Sequence, residues 1–382
     1  MLQTLIHSAE QRLRHIQNAR QALLHDGQPA IGQLTSPWIA QSWQRCLENG
    51  LRPHQAVSFD MVPQQAMRRS EEANHTLLQA ARPALKQLGH AVAETRYFAI
   101  LTNADGVVVD VSGQIDRSDP RANVIARVGV DLSEKSVGTT AISAALNELH
   151  PVWLHRGEHF FNGNAAYSCA GAPLFGPDGQ VVGMLDLTGI EVDERPELKH
   201  LVAQSARSIE NALTLERSHK LLVRLNWPGR NLGDETDGLV CLDADGWVTG
   251  ANQAARQMVS QLAGPKAGGA ASVHSSEVFA MPYEMLFEAA GRESYGQPAP
   301  IDVPLWSGLR LNAISIKRGH RTDDPISVRG TLTSDHPSLR EVETALIRKA
   351  VVQAKGNVMQ AARELGISRA TVYRKLGNKK IL

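Results

Sequence analysis

Between Ser338 and Leu382 ten side chains are Lys or Arg and three are Glu, a net charge of +7, while the rest of the chain carries −6. The chemistry such a segment offers is attraction to a polyanion; charge alone leaves a solvated Lys-rich terminus equally open. Spacing decides between them. Arg369, Thr371, Tyr373, Arg374 and Lys375 fall outward on a short helical run that turns Val372 and Leu376 inward, and Lys379 and Lys380 follow it. An Arg at the start of such a helix can pair bidentately with a guanine edge, and lysines beyond it meet phosphate without reading sequence. Other chemistry is sparse. Cys46, Cys169 and Cys241 lie far apart and never in CxxC spacing. That excludes a disulfide framework and a zinc ribbon, and fits a reducing cytoplasm. There is no HExxH and no GxxxxGK[ST] phosphate loop; Gly264 to Gly269 is glycine-rich but lacks the closing Lys-Ser/Thr.

The elements that must position the basic face follow from the same segment. Ser338 to Lys355 reads as a helix with two apolar stripes, Leu339, Val342, Leu346 and Ala350, and Ile347, Val351 and Ala354. A helix apolar on two sides needs a partner, and the same helix of a second subunit supplies one. Gly356-Asn357 ends it. Val358 to Leu365 is a short second helix with Ala361, Ala362 and Leu365 inward. Gly366-Ile367-Ser368 makes the turn, with Ser368 capping the helix from Arg369. This is a helix-turn-helix whose second helix enters the major groove by its N-terminal end. It implies a homodimer on double-stranded DNA, at an inverted repeat with half-sites roughly 34 Å apart.

Upstream, the 382-residue chain is 42% hydrophobic and 21% charged, the composition of a globular protein of two to three domains. It has no run of 18 apolar residues and no apolar signal core, so neither a membrane span nor secretion is expected, and the location is cytoplasmic. Helices are expected over 2–24, from Ser36-Pro37 to Asn49-Gly50, and over 63–95 with a break near Pro83. Two hairpins follow, one around Ala104-Asp105-Gly106 and one around Gly176-Pro177-Asp178-Gly179. Residues 197–225 contain no Gly or Pro and read as one long helix. A second small unit opens with a hairpin around Ala244-Asp245-Gly246, and its helical stretches are expected over 252–262 and 284–290. The fold class is α+β and multidomain. N-terminal helices occupy 1–89, an antiparallel-sheet domain 90–212, a signalling helix and linker 213–229, a second sheet unit 230–318, a polar linker 319–337 and the all-α DNA-binding unit 338–382.

Several segments carry a family likeness. "GNVMQAARELGISRATVYRKL" (356–376) resembles the Fis-type helix-turn-helix of bacterial enhancer-binding activators, which implies that Ser368, Arg369, Thr371 and Arg374 face DNA. "SPWIAQSWQRCLENGL" (36–51), "VGVDLSEKSVGTTAISAAL" (128–146), "GEHF" (157–160) and "SCAGAPLFGPDGQVVGMLDLTG" (168–189) resemble the acetoin-catabolism regulator family. "DGLVCLDADGWVTGANQAA" (237–255) resembles a PAS opening, and "SSEVF" (275–279) fits the same family. Those regulators join a GAF sensor, a PAS-like unit, a sigma-54-activating ATPase and a Fis-type tail. Here the phosphate loop and the GAFTGA loop are both missing, so the resemblance implies a sensor and a DNA-binding tail without the ATPase.

A GAF domain implies a pocket between the sheet and the loops over it. Its candidate liners are Phe98, Trp153, Glu158, His159, Phe160, Tyr167, Cys169 and Asp186. Plain core is the competing reading for Trp153 and Phe160, and a surface pair for Glu158 and His159. His155, His159 and Cys169 would form a metal set only if the fold converged them, and Cys169 would be a redox switch only with a lowered pKa. The expected function is therefore a ligand-responsive transcription regulator that needs no cofactor, with a small-molecule effector. Recruitment of RNA polymerase, simple occupancy of DNA, and competition with a full-length relative stay open as modes of action. The alternative is a GAF-type redox or cyclic-nucleotide enzyme with an appended tail. An architectural DNA-bending protein is disfavoured by the large pocketed body.

Overall fold

The computed structural model describes residues 2–25, 36–263, 273–291, 293–294, 297–317, 358–364, 367 and 372. The chain forms two units, Met1–Gly319 and His320–Leu382.

The first unit begins with four helices, α1 (Leu2–Arg20), α2 (Pro37–Glu48), α3 (Gln64–Ala73) and α4 (His75–Ala91). Pro37 sits at the first position of α2, where its missing N–H costs nothing. The expected break at Pro83 falls at Asn74 instead, and α4 runs through Pro83. Pro83 is exposed, so water can take the carbonyl that it leaves unpaired.

The first sheet contains β1 (Tyr97–Asn103), β2 (Val108–Ser112), β3 (Val152–His155), β4 (Tyr167–Phe175) and β5 (Val181–Ile190), antiparallel in the order β2-β1-β5-β4-β3. Three short helices, α5 (Pro120–Ile125), α6 (Glu134–Val137) and α7 (Ala141–Glu148), lie between β2 and β3 in sequence. Period-two alternation divides the strands between two cores. Tyr97, Ala99, Leu101, Ala170, Leu174, Leu185 and Leu187 face α4 and α8 (Leu198–Glu216). Phe98, Ile100, Cys169 and Met184 face α5, α7 and their loops. Both faces are buried, which is why the strands read as continuous apolar runs. Gly171 admits α7 to the sheet: a Cβ there would lie 2.8 Å from Ala141 O and 2.7 Å from Met184 Cε.

The long helix expected to Leu225 stops at Glu216, and Leu221–Asn226 is a strand, β6. The reading of 213–229 as helix and linker is thereby corrected. β6 joins β7 (Gly238–Leu242), β8 (Val248–Ala251), β11 (Ile301–Pro304) and β12 (Arg310–Lys317) in a second antiparallel sheet, ordered β11-β12-β6-β7-β8. The elements between β8 and β11 are α9 (Gln253–Met258), α10 (Ser275–Val278), α11 (Tyr283–Ala289) and two two-residue strands, β9 (Glu293–Ser294) and β10 (Gln297–Pro298). The helix expected over 252–262 is shorter, because its last turn, Ser260–Leu262, is a separate 3-10 turn. Each sheet carries an edge hairpin, but the strand beside it differs. In the first sheet that strand is β5, late in the chain; in the second it is β6, which precedes the hairpin.

The two sheets are joined within this unit by polar contacts. Arg217 pairs with Asp178. Pro177 O accepts from Ala251 N at 2.9 Å and from Arg256 Nη2 at 2.7 Å. Asn252 uses its whole amide: Oδ1 accepts from Leu239 N and Ala255 N, and Nδ2 donates to Asp237 O and Asn211 Oδ1.

In the second unit the described residues form one helix, Val358–Glu364. Ala362 and Val372 are buried there, and Ile367 N donates to Ala362 O at 3.0 Å. The helix expected from Ser338, the turn residue Ser368, and Arg369, Thr371, Tyr373, Arg374, Lys375, Lys379 and Lys380 lie outside the described residues. Among the described residues no helix is long and apolar enough to cross a membrane.

Candidate functional site

The second core of the first sheet encloses a cavity of about 30 Å³. Strand alternation brings Ile100, Cys169, Asp186 and Thr188 to it from β1, β4 and β5. Ile125 closes it from α5, Thr140, Ala141 and Ile142 from the start of α7, and His159, Asn164 and Tyr167 from the segment that leads into β4. Half-buried Phe59 lies over it from the α2–α3 loop, its carbonyl held by Arg127 Nη2 at 3.0 Å.

Its polar groups are deeply buried. Asp186 is 0% and His159 1% exposed. Burial raises the Asp186 carboxyl to about 7 against a hydrogen bond from Thr188 that lowers it. Burial likewise lowers the His159 imidazole to about 4, so the ring is neutral. The Cys169 thiol is pushed well above its ordinary value by burial and then by the Asp186 charge. A thiolate is disfavoured there, which removes the low-pKa condition for a redox switch.

Of the eight pocket candidates, His159, Tyr167, Cys169 and Asp186 line this cavity. The other four lie elsewhere. Trp153 is on the opposite sheet face, stacked at 6.3 Å on His155, because its neighbours Val152 and Leu154 take the cavity side. Phe160 packs with Ile39 and Trp43 beneath α2. Glu158 turns to α1, where Arg12 Nη2 reaches both its oxygens at 3.0 and 3.1 Å. Phe98 is buried in the same core but lines a separate cleft with Arg96 and Gln114. His155 bonds Ser168 Oγ at 2.8 Å, on the face away from Cys169, so the three metal candidates do not converge. No group of three metal-binding side chains occurs among the described residues. Thr188 was the legible omission: two residues after Asp186 on a strand, it must share its face.

The N-terminal helices grip the segment that carries His159. Arg20 Nη1 donates to Gly157 O at 2.8 Å and His159 O at 2.5 Å. Its Nη2 donates to Phe160 O at 2.9 Å and Asn162 Oδ1 at 2.6 Å. Gly157 leaves room for Ile16, whose Cγ2 would be 3.1 Å from a Cβ. Trp43 Nε1 donates to Glu158 O at 2.9 Å. On α2, Ser42 bonds Thr139 Oγ1 at 2.7 Å, and Arg45 holds Glu134 through Nε and Nη2, both at 3.1 Å. The segments 36–51 and 128–146 thus pack on each other. Arg20→Ala should cost about 2–3 kcal/mol and speed proteolysis between α1 and α2. Unchanged melting and cleavage would show that this grip contributes little.

Comparison with known proteins follows this division. The family described as "MimR, N-terminal domain" matches residues 14–211, and the one described as "Bacterial regulatory protein, Fis family" matches 338–378. The acetoin catabolism regulatory protein of Cupriavidus necator is 28% identical over 299 residues, covering 75% of this chain and 44% of that protein. The acetoin dehydrogenase operon transcriptional activator of Bacillus subtilis is 26% identical over 208 residues, 53% of this chain and 34% of that one. The chain spans less than half the length of these relatives. Among solved structures, the Escherichia coli DhaR(N)–DhaL complex aligns with a TM-score of 0.45 and 15% identity, over 74% of this chain and 100% of that chain.

Proposed function

Since this chain belongs to the MimR N-terminal-domain family, which it matches over residues 14–211, we propose that it is a ligand-responsive, sequence-specific DNA-binding transcription regulator. The observation that carries this reading is the pairing of that domain with a Fis-family segment on one chain. The names of the curated relatives agree with it. The sensor is the first sheet, and its effector site is the cavity lined by His159, Tyr167, Cys169 and Asp186. The grip of α1 and α2 on the His159 segment offers a route by which occupancy reaches the rest of the unit. An effector shifts that equilibrium only by its differential affinity for the two states. The DNA-binding unit acts as a homodimer on an inverted repeat, in the cytoplasm. Ser368, Arg369, Thr371, Tyr373, Arg374 and Lys375 face the groove, and Lys379 and Lys380 the phosphates.

This chain has no phosphate loop between the second sheet and the Fis-family segment. ATP hydrolysis, and with it sigma-54 promoter opening, is therefore not expected of it. It acts by occupying DNA or by contacting RNA polymerase. The enzyme alternative loses its two clearest supports in the raised thiol of Cys169 and the dispersed His155, His159 and Cys169.

The test is base reading. Arg369→Ala should weaken specific DNA by about 1–3 kcal/mol and relax selectivity at one position per half-site. Neutralising Lys379 and Lys380 should weaken all sequences alike and flatten the salt dependence. Equal losses on specific and random DNA for Arg369→Ala would remove it from the recognition face.

A further inference from the structure

On the α8 side of the first sheet, away from the cavity beneath Phe59, a cleft of about 400 Å³ runs between that sheet and the second one. Glu210 of α8 lines it and is itself only 5% exposed. Phe175 N donates to its Oε1 at 3.0 Å. Its Oε2 accepts from no donor among the described residues, and it is not sealed within the core as Asp186 Oδ1 is. Burial raises this carboxyl to about 7, against the Phe175 N–H and, behind it, the Arg207 charge. A buried carboxylate oxygen that opens on a cleft calls for a charged donor.

Arg207 lies three residues earlier on α8, on the same face, and also lines the cleft. It is exposed, and no described carboxylate stands within ion-pair distance of it. The apolar part of the lining includes Trp227, after β6, and Met258, at the end of α9. The cleft thus offers a buried anion, an exposed cation and hydrocarbon. We infer that it binds a free α-amino acid with an apolar side chain, whose ammonium meets Glu210 and whose carboxylate meets Arg207. In such a molecule one carbon separates the two charges. The side chains that take them are neighbours across one helical turn, with Cβ atoms about 5–6 Å apart. The guanidinium can fork both carboxylate oxygens. The ligand's hydrocarbon lies against Trp227 and Met258, so a bound amino acid bridges the helix of the first sheet and the second sheet. His150 is the remaining ionisable group on the cleft, and its Nδ1 is turned to the Pro151 carbonyl at 3.0 Å. A simple amine leaves Arg207 unused, and a simple acid brings a second anion to Glu210. Water is the competing occupant.

The experiment uses the full chain and calorimetric titration at pH 8, above the value of about 7 to which burial raises Glu210. The probes are L-leucine, L-methionine and L-phenylalanine, with the two halves of leucine, 3-methylbutylamine and 4-methylpentanoate. At least one amino acid should bind, and the two half-molecules at least roughly tenfold more weakly than leucine. Glu210→Gln keeps an oxygen for Phe175 N and turns an N–H to the cleft. It should weaken leucine and the amine by roughly tenfold and leave 4-methylpentanoate no weaker. The exposed Arg207→Gln, which has no folding role to lose, should weaken leucine by roughly tenfold and leave the amine unchanged. If Glu210→Gln does not fold, the split between leucine and the amine in Arg207→Gln carries the test.

An amine or acid that binds as tightly as leucine would overturn the amino-acid inference. Amino-acid binding that neither variant weakens would place the ligand elsewhere on the chain and would overturn it too. No binding of any of the three amino acids would mean that the cleft holds water only, with the same consequence. None of these results bears on the effector cavity of the first sheet.

Discussion

Asp237→Ala is expected to destabilise the second sheet by about 2–4 kcal/mol, because it removes the buried partner of a half-buried ion pair and leaves the other polar groups unmet. Asp237 is fully buried. Its Oδ2 accepts from Arg224 Nη1 at 3.2 Å and Gly233 N at 2.7 Å, and its Oδ1 from Asn226 Nδ2 at 3.1 Å. One carboxylate thereby ties β6 to the 227–237 loop and to the start of β7, and its own carbonyl is the anchor for Asn252. With alanine there, the Arg224 guanidinium loses its counter-charge, and the buried Asn226 amide and the Gly233 N–H face an apolar methyl. Glu235, two residues away and exposed, is the control, and its alanine variant should stay within about 0.5 kcal/mol of the native protein. Urea unfolding followed by tryptophan fluorescence reads both. A loss under 1 kcal/mol for Asp237→Ala would mean that the loop re-forms around water, and the tie would lose its importance.

Asp186→Asn should change how stability varies with pH. The folded carboxyl is raised to about 7 by burial, against 3.8 for the free side chain. Below about pH 4 the group is protonated whether the chain is folded or unfolded, and it costs nothing. Between pH 4 and 7 the unfolded chain ionises while the folded one resists, so native stability falls as pH rises. Above pH 7 the full penalty is present, on the order of 4 kcal/mol. Asparagine does not titrate. The variant should therefore gain on the native protein steadily from pH 4 to 8. Glu210, raised to about 7 by its own burial, contributes in the same direction but is present in both proteins and drops out of the difference. Melting temperatures in matched buffers test this. Parallel profiles for the two proteins would show that Asp186 is not held neutral by its surroundings.

Much of the fold was legible because its signals are local. The Asn49-Gly50 stop, the three hairpin turns and the short apolar runs beside them need no distant partner to be read. β6 was not legible for the opposite reason. Leu221, Leu222, Val223 and Leu225 continue the apolar spacing of α8 without a Gly or Pro between them. A short apolar run cannot be divided into helix and strand by periodicity alone. What makes it a strand is pairing on both sides, with β7 and with β12, and β12 lies some ninety residues further on. The cavity was half legible. Alternation from Asp186 places Thr188 on its side, but Cys169 joins them only through the register of β4 on β5, and the side on which Trp153 falls depends on which face β3 gives to α7. No motif marks Phe59, which comes to the cavity from a loop before the sheet.

The place of β6 bears on how this protein can be cut and how it can fold. A strand that crosses the middle of a sheet cannot be left behind. A fragment beginning at residue 230 would retain β7 with β8 and β11 with β12 as two separate ribbons, each with an open edge where β6 belongs. A fragment ending at residue 226 would carry β6 away with nothing to pair it. The dissection that respects the strand pairing of both sheets falls between Glu216 and Leu221, in the four residues that separate α8 from β6. On the ribosome the same constraint sets an order: the first sheet can close as soon as α8 emerges, whereas β6 must wait for β12, with nearly a hundred residues of chain still to be made.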